Sequence, residues 1–243
     1  MVPTKPASEM TRAELASYID QSVLKPEFTV EDIKKYTQEG IDYGCATICI
    51  NPSSLPIVAP MVEGTNTGLC VVCDFPFGAS STESKVAQAQ AIMDGYDIQD
   101  LDIVANYGRL RSGDLDYVTR DIRAVVDVCH AKGVVVKVII ETDALTSEQI
   151  KAGTRCAVDA GADFIKSSTG FYTGGEQRGA TNEVVDLMME AGNGEIQVKG
   201  SGAIRDQKHF FELIDRGIDR MGIGYRSTPT VLGVTQDVSC DAC

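Results

Sequence analysis

The sequence predicts an α/β fold of the single-domain (β/α)8 TIM barrel class with an extra N-terminal helix, and three observations predict it. Short β-branched runs alternate with longer amphipathic stretches. The runs number eight, each followed by a helix or helix-like connection. The whole pattern fits in 243 residues with no linker, internal repeat or low-complexity segment to mark a second domain. A doubly wound sheet is the competing reading, which periodicity alone does not exclude.

Taken in order, "TRAELASYI" reads as the extra helix, placed to cover the bottom of the barrel. The strand candidates are "YID" at 18–20, "CATICI" at 45–50, "TGLCVVCD" at 67–74, "DLDIVA" at 100–105, "VVVKVIIE" at 134–141, "DFIKS" at 163–167, "IQVKG" at 196–200 and "DRMGIG" at 219–224. Between them, "TVEDIKKYTQEGIDYG", "STESKVAQAQAIMDGY", "LDYVTRDIRAVVDVCHAKG", "TSEQIKAGTRCAVDAG" and "DQKHFFELIDRG" carry the 3.6-residue period. Ser81 and Ser147 are expected as N-terminal caps, and Gly44, Gly133, Gly161 and Gly217 as left-handed stops. Residues 1–10 and 236–243 are expected to be flexible ends.

Charge and composition narrow the function. With 35 acidic against 22 basic side chains, a net charge of −13, the field repels phosphate backbones and anionic membranes, so neither nucleic acid nor membrane is an expected partner. The start lacks a signal peptide's basic and apolar regions, and no run approaches the roughly 20 apolar residues that span a bilayer. The expectation is a cytoplasmic protein. Cys45, Cys49, Cys70, Cys73, Cys129 and Cys156 fall in apolar periodic segments and read as core thiols. Cys70 and Cys73, three apart on a strand, point to opposite faces, which argues against zinc. The terminal "CDAC" reads as a disordered tail, with metal binding or oxidation as the alternative. His130 and His209 lie in predicted helices without ligand spacing.

Chemistry is expected where polar residues interrupt the strands. The fourth to seventh strands carry Asp102, Lys137, Lys166 and Lys199 inside apolar text. Leu101, Ile103, Val136, Val138, Ile165 and Val198 face the helices, so parity turns all four ionisable residues into the barrel. A buried salt-bridge network would be the purely structural reading. Three lysines against one acid leave a positive excess, however, and that suits an anionic or carbonyl ligand. A lysine with the usual pKa is only about 0.04% neutral at pH 7, and a second ammonium about 5 Å away plus burial raises the neutral fraction. Lys166 and Lys199 on adjacent strands fit this arrangement, which points to Schiff-base chemistry on a carbonyl with Asp102 available for proton transfer.

The later loops add a phosphate-sized feature. "KGSGAIR" at 199–205 and "GIGYRS" at 222–227 follow the seventh and eighth strands, where barrels hold phosphate on backbone N–H groups. Gly200 and Gly202 match GxG, but Arg205 replaces the third glycine of a dinucleotide fingerprint. No GxSxG or Walker A motif occurs.

Across nearly the whole chain, "ICINP", "DFPFG", "DLDIVANYGRLRSGD", "VKVIIET", "ADFIKSSTGF" and "VKGSGAIR" resemble 2-deoxyribose-5-phosphate aldolases, class I aldolases on a (β/α)8 barrel. The resemblance implies cleavage of 2-deoxy-D-ribose 5-phosphate to D-glyceraldehyde 3-phosphate and acetaldehyde, with no metal or organic cofactor and as a homo-oligomer. It makes Lys166 the Schiff-base lysine, Lys199 its tuning neighbour and Asp102 the proton relay. It puts Asp20, Ser22 and Cys49 on the cavity wall, and it extends the substrate-binding set to Lys137, Thr169, Gly170, Gly202, Ala203, Arg205, Gly222 and Gly224. The chain departs from the family pattern at Ala203, where a phosphate-contacting glycine is usual, and at "GIGY", which lacks the usual serines; Arg226 or Ser227 are the candidate replacements. Gln21 stands for a common histidine. A related lyase for another sugar phosphate or an unphosphorylated aldol is the alternative activity, and a non-catalytic sugar-phosphate-binding barrel the alternative class.

Overall fold

Each β-branched run pairs in parallel with the next, and the eighth returns to the first, closing the barrel in the order β1 to β8. The computed structural model describes residues 3–234. The strands are β1 (Ile19–Val23), β2 (Thr47–Ile50), β3 (Gly68–Cys73), β4 (Asp100–Val104), β5 (Val135–Ile139), β6 (Phe164–Lys166), β7 (Gln197–Ser201) and β8 (Arg220–Gly224). All eight overlap their expected positions; β1 starts at Ile19 and runs to Val23, beyond "YID". Closure excludes the doubly wound alternative.

The outer layer holds α1 (Arg12–Ala16), α2 (Val30–Tyr43), α3 (Leu55–Val62), α4 (Thr82–Gly95), α5 (Tyr107–Arg111), α6 (Leu115–His130), α7 (Ser147–Ala160), α8 (Asn182–Gly192), α9 (Gln207–Asp215) and α10 (Thr228–Val231). Local chemistry sets their ends. Thr29 caps α2 in a reciprocal box with Asp32, and Gly44 stops it at φ 74°. Ser81 caps α4 as expected. At α7 the cap is Thr146, boxed with Gln149; Ser147, expected there, is the first helical residue. Within the expected flexible stretch 1–10, Ala7 is buried and its N–H donates to Asp215 over 2.7 Å.

Most of the apolar core lies between strands and helices, where Leu101, Ile103, Val136, Val138 and Ile165 are buried as parity requires. Inside the barrel, Leu24, Cys49, Cys70 and Val72 form a small separate cluster, with Phe75 and Phe171 packed on it. A group of charged side chains fills much of the remaining interior, and that is where the site forms. All six cysteines among the described residues are free and buried; Cys73 faces outward to Gln88 on α4 while Cys70 faces in. The tail with Cys240 and Cys243 lies outside the described residues. No described helix is long and apolar enough to cross a membrane.

Candidate active site

Strand register brings the four inward ionisable residues together. Lys166 on β6 is the register partner of Lys199 on β7, and Asp102 on β4 that of Lys137 on β5. Asp102 is the hub. Its Oδ2 accepts from Lys166 Nζ and from Lys199 Nζ, each at 2.7 Å. Its Oδ1 accepts the Cys70 thiol at 3.2 Å and lies 3.3 Å from Lys137 Nζ. The two lysines expected to cooperate therefore share one carboxylate oxygen.

The charge balance differs from the sequence expectation of three lysines against one acid. Asp20 on β1 lies 2.5 Å from Lys199 and 3.6 Å from Lys137, and Asp100, one pleat below Asp102, hydrogen-bonds Lys137. Arg220 on β8 donates to Asp20 at 2.8 Å and stands 4.0 Å from Asp100. Three carboxylates thus face three ammonium groups and a guanidinium. Asp100 was readable, since it shares the parity of Asp102 in "DLDIV"; Arg220 was readable in the same way from Gly222.

This packing fixes protonation. Burial favours a neutral acid at Asp102, but Lys166, Lys199 and Lys137 overcome it and hold the carboxyl well below its ordinary range. Burial is likewise outweighed at Asp20, by Lys199, Lys137 and Arg220, and its pKa is lowered. Burial would drive the proton from Lys199, yet Asp102 and Asp20 hold its pKa well above the usual lysine value. Lys137 is raised too, burial there being exceeded by Cys70, Asp20 and Asp102. Asp100 goes the other way, pushed up by burial with Lys137 only partly offsetting it.

Above the charged layer, a cavity of about 170 Å³ opens at the C-terminal ends of the strands. Ser22, Lys166, Thr169, Gly170, Gly202, Gly222 and Gly224 border it, so seven of the expected site residues meet there. Asp20, Cys49 and Lys137 are fully buried beneath, not on the cavity wall. Ala203 and Arg205 stand outside the lining, because the turn ahead of α9 carries both into solvent.

Other contacts hold this mouth and lay beyond the sequence reading. Glu141, buried, takes the Thr169 hydroxyl, and Thr169 Oγ1 accepts the Phe171 N–H at 3.0 Å, which shapes the loop after Lys166. Ser167 and Ser201 bond reciprocally at 2.9 Å and lock that loop to the end of β7. Glu141, Ser167 and Thr169 stand past the strand ends and Ser201 closes β7, so the contacts join separate parts of the chain. Gln21 points away from the cavity and donates to the Tyr36 carbonyl at 2.5 Å. His130 pairs with Asp163 and His209 with the Ala180 carbonyl, and neither borders the cavity.

Cys49, Cys70 and Asp102, and likewise Asp20, Cys70 and Asp100, bring donor atoms within 4.8 Å of one another. Their carboxylates are already engaged by ammonium groups. Chemically, the arrangement offers an amine at a cavity floor beside a second lysine whose pKa is held high and a carboxylate that touches both, which suits addition to a carbonyl followed by short proton transfers.

Known proteins resemble the chain over most of its length. The family described as DeoC/LacD family aldolase matches residues 15–227. A deoxyribose-phosphate aldolase of Thermococcus kodakarensis is 44% identical over 88% of this chain and 94% of its own length. Among solved structures, a putative deoxyribose-phosphate aldolase from Coccidioides immitis superposes with a TM-score of 0.85 at 32% identity, over 96% of this chain and 89% of that one. A deoxyribose phosphate aldolase from Aeropyrum pernix, described as a unique tetramer, gives 0.81 at 28% identity, over 92% and 91%.

Proposed function

Because the chain belongs to the DeoC/LacD family of aldolases, carbon–carbon lyases, we propose that it cleaves 2-deoxy-D-ribose 5-phosphate to D-glyceraldehyde 3-phosphate and acetaldehyde through a Schiff base on Lys166. The observation that carries the reading is the convergence of Lys166 and Lys199 on one Asp102 oxygen, with Lys166 alone of the three interior lysines bordering the cavity.

The Lys166 amine, after giving up a proton, adds to C1 of the open-chain sugar, and loss of water gives an iminium. The iminium draws the electron pair of the C2–C3 bond as the C3 hydroxyl gives up its proton. Glyceraldehyde 3-phosphate leaves, and the remaining enamine is protonated at its terminal carbon and hydrolysed to acetaldehyde. Asp102 touches both lysines and is held ionised, so its part is to relay protons through water instead of storing one. Lys199, held protonated, keeps a positive charge beside the nucleophile. The phosphate is assigned to backbone N–H groups in the loops after β7 and β8, around Gly202 and Gly224. The A. pernix relative, described as a tetramer, supports a homo-oligomeric assembly here as well.

Borohydride reduction in the presence of deoxyribose 5-phosphate is expected to fix one adduct on Lys166, located by peptide mass. Lys166→Ala is expected to abolish aldehyde release in a coupled assay. An adduct on another residue, or full turnover by the variant, would overturn the assignment.

A further inference from the structure

Past the end of β5 the chain stays bonded to the segment after β6. The Ile140 N–H donates to the Lys166 carbonyl at 3.1 Å and the Thr142 N–H to the Ser167 carbonyl at 3.0 Å, while the Thr142 and Ser168 hydroxyls meet at 3.0 Å. Between these contacts Glu141 takes a left-handed backbone, φ 56°, which a residue with a Cβ enters less freely than glycine. It is also buried. Desolvation and backbone sterics both weigh against a glutamate here, and backbone outliers of this kind concentrate at functional sites.

Thr169 offsets the burial. Its hydroxyl donates to one Glu141 carboxylate oxygen, and its N–H approaches both oxygens at 3.4 Å. Burial raises the Glu141 pKa, and these two bonds, with Lys166 nearby, oppose the rise. Two donors from one residue call for the ionised carboxylate, which only accepts. Thr169 Oγ1 in turn accepts the Phe171 N–H at 3.0 Å. The hydroxyl proton is thus used on the Glu141 side, and the lone pair left on Oγ1 can act only as an acceptor. Thr169, Gly170 and Phe171 border the lysine cavity, whereas Glu141 does not.

We propose that Glu141 is a positioning residue for the lysine site: through Thr169 it fixes the turn 169–171 and turns the Thr169 oxygen into an acceptor for a substrate hydroxyl. This inference rests on the reaction proposed at Lys166. Glu141 acts through Thr169 and Phe171, so its effect falls on substrate binding more than on bond cleavage.

The test combines kinetics with amide exchange. Glu141→Gln keeps the shape but leaves one accepting oxygen and adds a donor that competes for Thr169 Oγ1. KM for deoxyribose 5-phosphate is expected to rise about tenfold, the size of one lost hydrogen bond, with kcat within about threefold. Thr169→Val is expected to raise KM similarly, and the double variant no further than either single one. In NMR hydrogen exchange, the Phe171 N–H is expected to exchange about tenfold faster in Glu141→Gln and Thr169→Val, while the Val198 and Ser201 N–H groups, bonded to Asp219 and Ser167, keep their rates. Thr169→Ser retains the hydroxyl and should retain the Phe171 protection; that pair of Thr169 variants decides the matter if Glu141→Gln does not fold. Wild-type KM and Phe171 exchange in Glu141→Gln, additive KM effects, exchange faster at all three amides, or equal Phe171 exchange in Thr169→Ser and Thr169→Val each overturn the positioning role. Absence of aldehyde release by the wild type strikes the proposed reaction instead, and the Phe171 exchange then decides the role of Glu141 by itself.

Discussion

Lys199 cannot be understood from its own side chain. Buried amines normally lose their proton, but two carboxylates within 2.7 Å hold this one cationic. Removing the charge in Lys199→Leu is expected to lower kcat by about 10²-fold or more and to displace the pH–rate profile, whereas Lys199→Arg should keep more of the wild-type profile. Matching profiles for wild type and Lys199→Leu would count against the tuning role. Ala203 is a second residue-scale case. Its φ of 58° is left-handed, a region glycine enters freely and alanine does not. Ala203→Gly is expected to add about 1 kcal/mol and raise the melting temperature by roughly 2–4 °C; a lower melting point would show that the turn relies on the methyl group. Parity made Asp102, Lys137, Lys166 and Lys199 legible, because an inward charge in an apolar strand breaks the pattern visibly. Glu141 shares the inward parity of Lys137 in the expected run 134–141, but β5 ends at Ile139 and Glu141 stands past it with φ at 56°, its partner Thr169 being in another loop, so strand parity alone did not place it.

At the scale of elements, helix N-termini discriminate between sequence expectation and structure. Thr146 accepts the Gln149 N–H and its own N–H donates to the Gln149 side chain, while Ser147 lies inside the helix. Thr146→Ala is therefore expected to cost about 1 kcal/mol and Ser147→Ala only a few tenths, read as a difference in urea midpoints; the reverse order would return the cap to Ser147. Strands were legible to within three residues at each end because β-branched runs, inward alternation and flanking glycines agree. Helix α3 lacked such agreement: "LPIVAPMV" carries Pro56 in its first turn and Pro60 within it, which reads as a loop until packing of Leu55 and Val58 enforces the helix. Gly179 makes another demand that no period reveals. A Cβ there would stand 2.2 Å from the Gly202 carbonyl oxygen, so the loop ahead of α8 and the cavity turn at Gly202 approach only through a glycine.

For the whole molecule, the interior charges set the pH window of stability. Asp20 and Asp102 have folded pKa values below the ordinary 3.8, so the stability they contribute is present above that value and is lost as pH falls through their folded values. Asp100 and Glu141 are raised, mainly by burial, and act with the opposite sign, since the folded state binds their protons first and gains stability as pH falls from neutral. Lys137 and Lys199 are raised above 10.5, so their contribution is complete below that pH and is lost only as pH climbs through the higher folded values. The hub carboxylate faces three ammonium groups, so its sign should dominate the acid side. The urea midpoint is expected to change little between roughly pH 5 and 9 and to fall steeply below about pH 4. Asp102→Asn, which keeps the shape but cannot ionise, should start from a lower midpoint and show a shallower acid decline. A wild-type midpoint that climbs from pH 5 to pH 3 would mean that Asp100 and Glu141 outweigh the hub, and that protons bind the folded barrel more readily than the open chain.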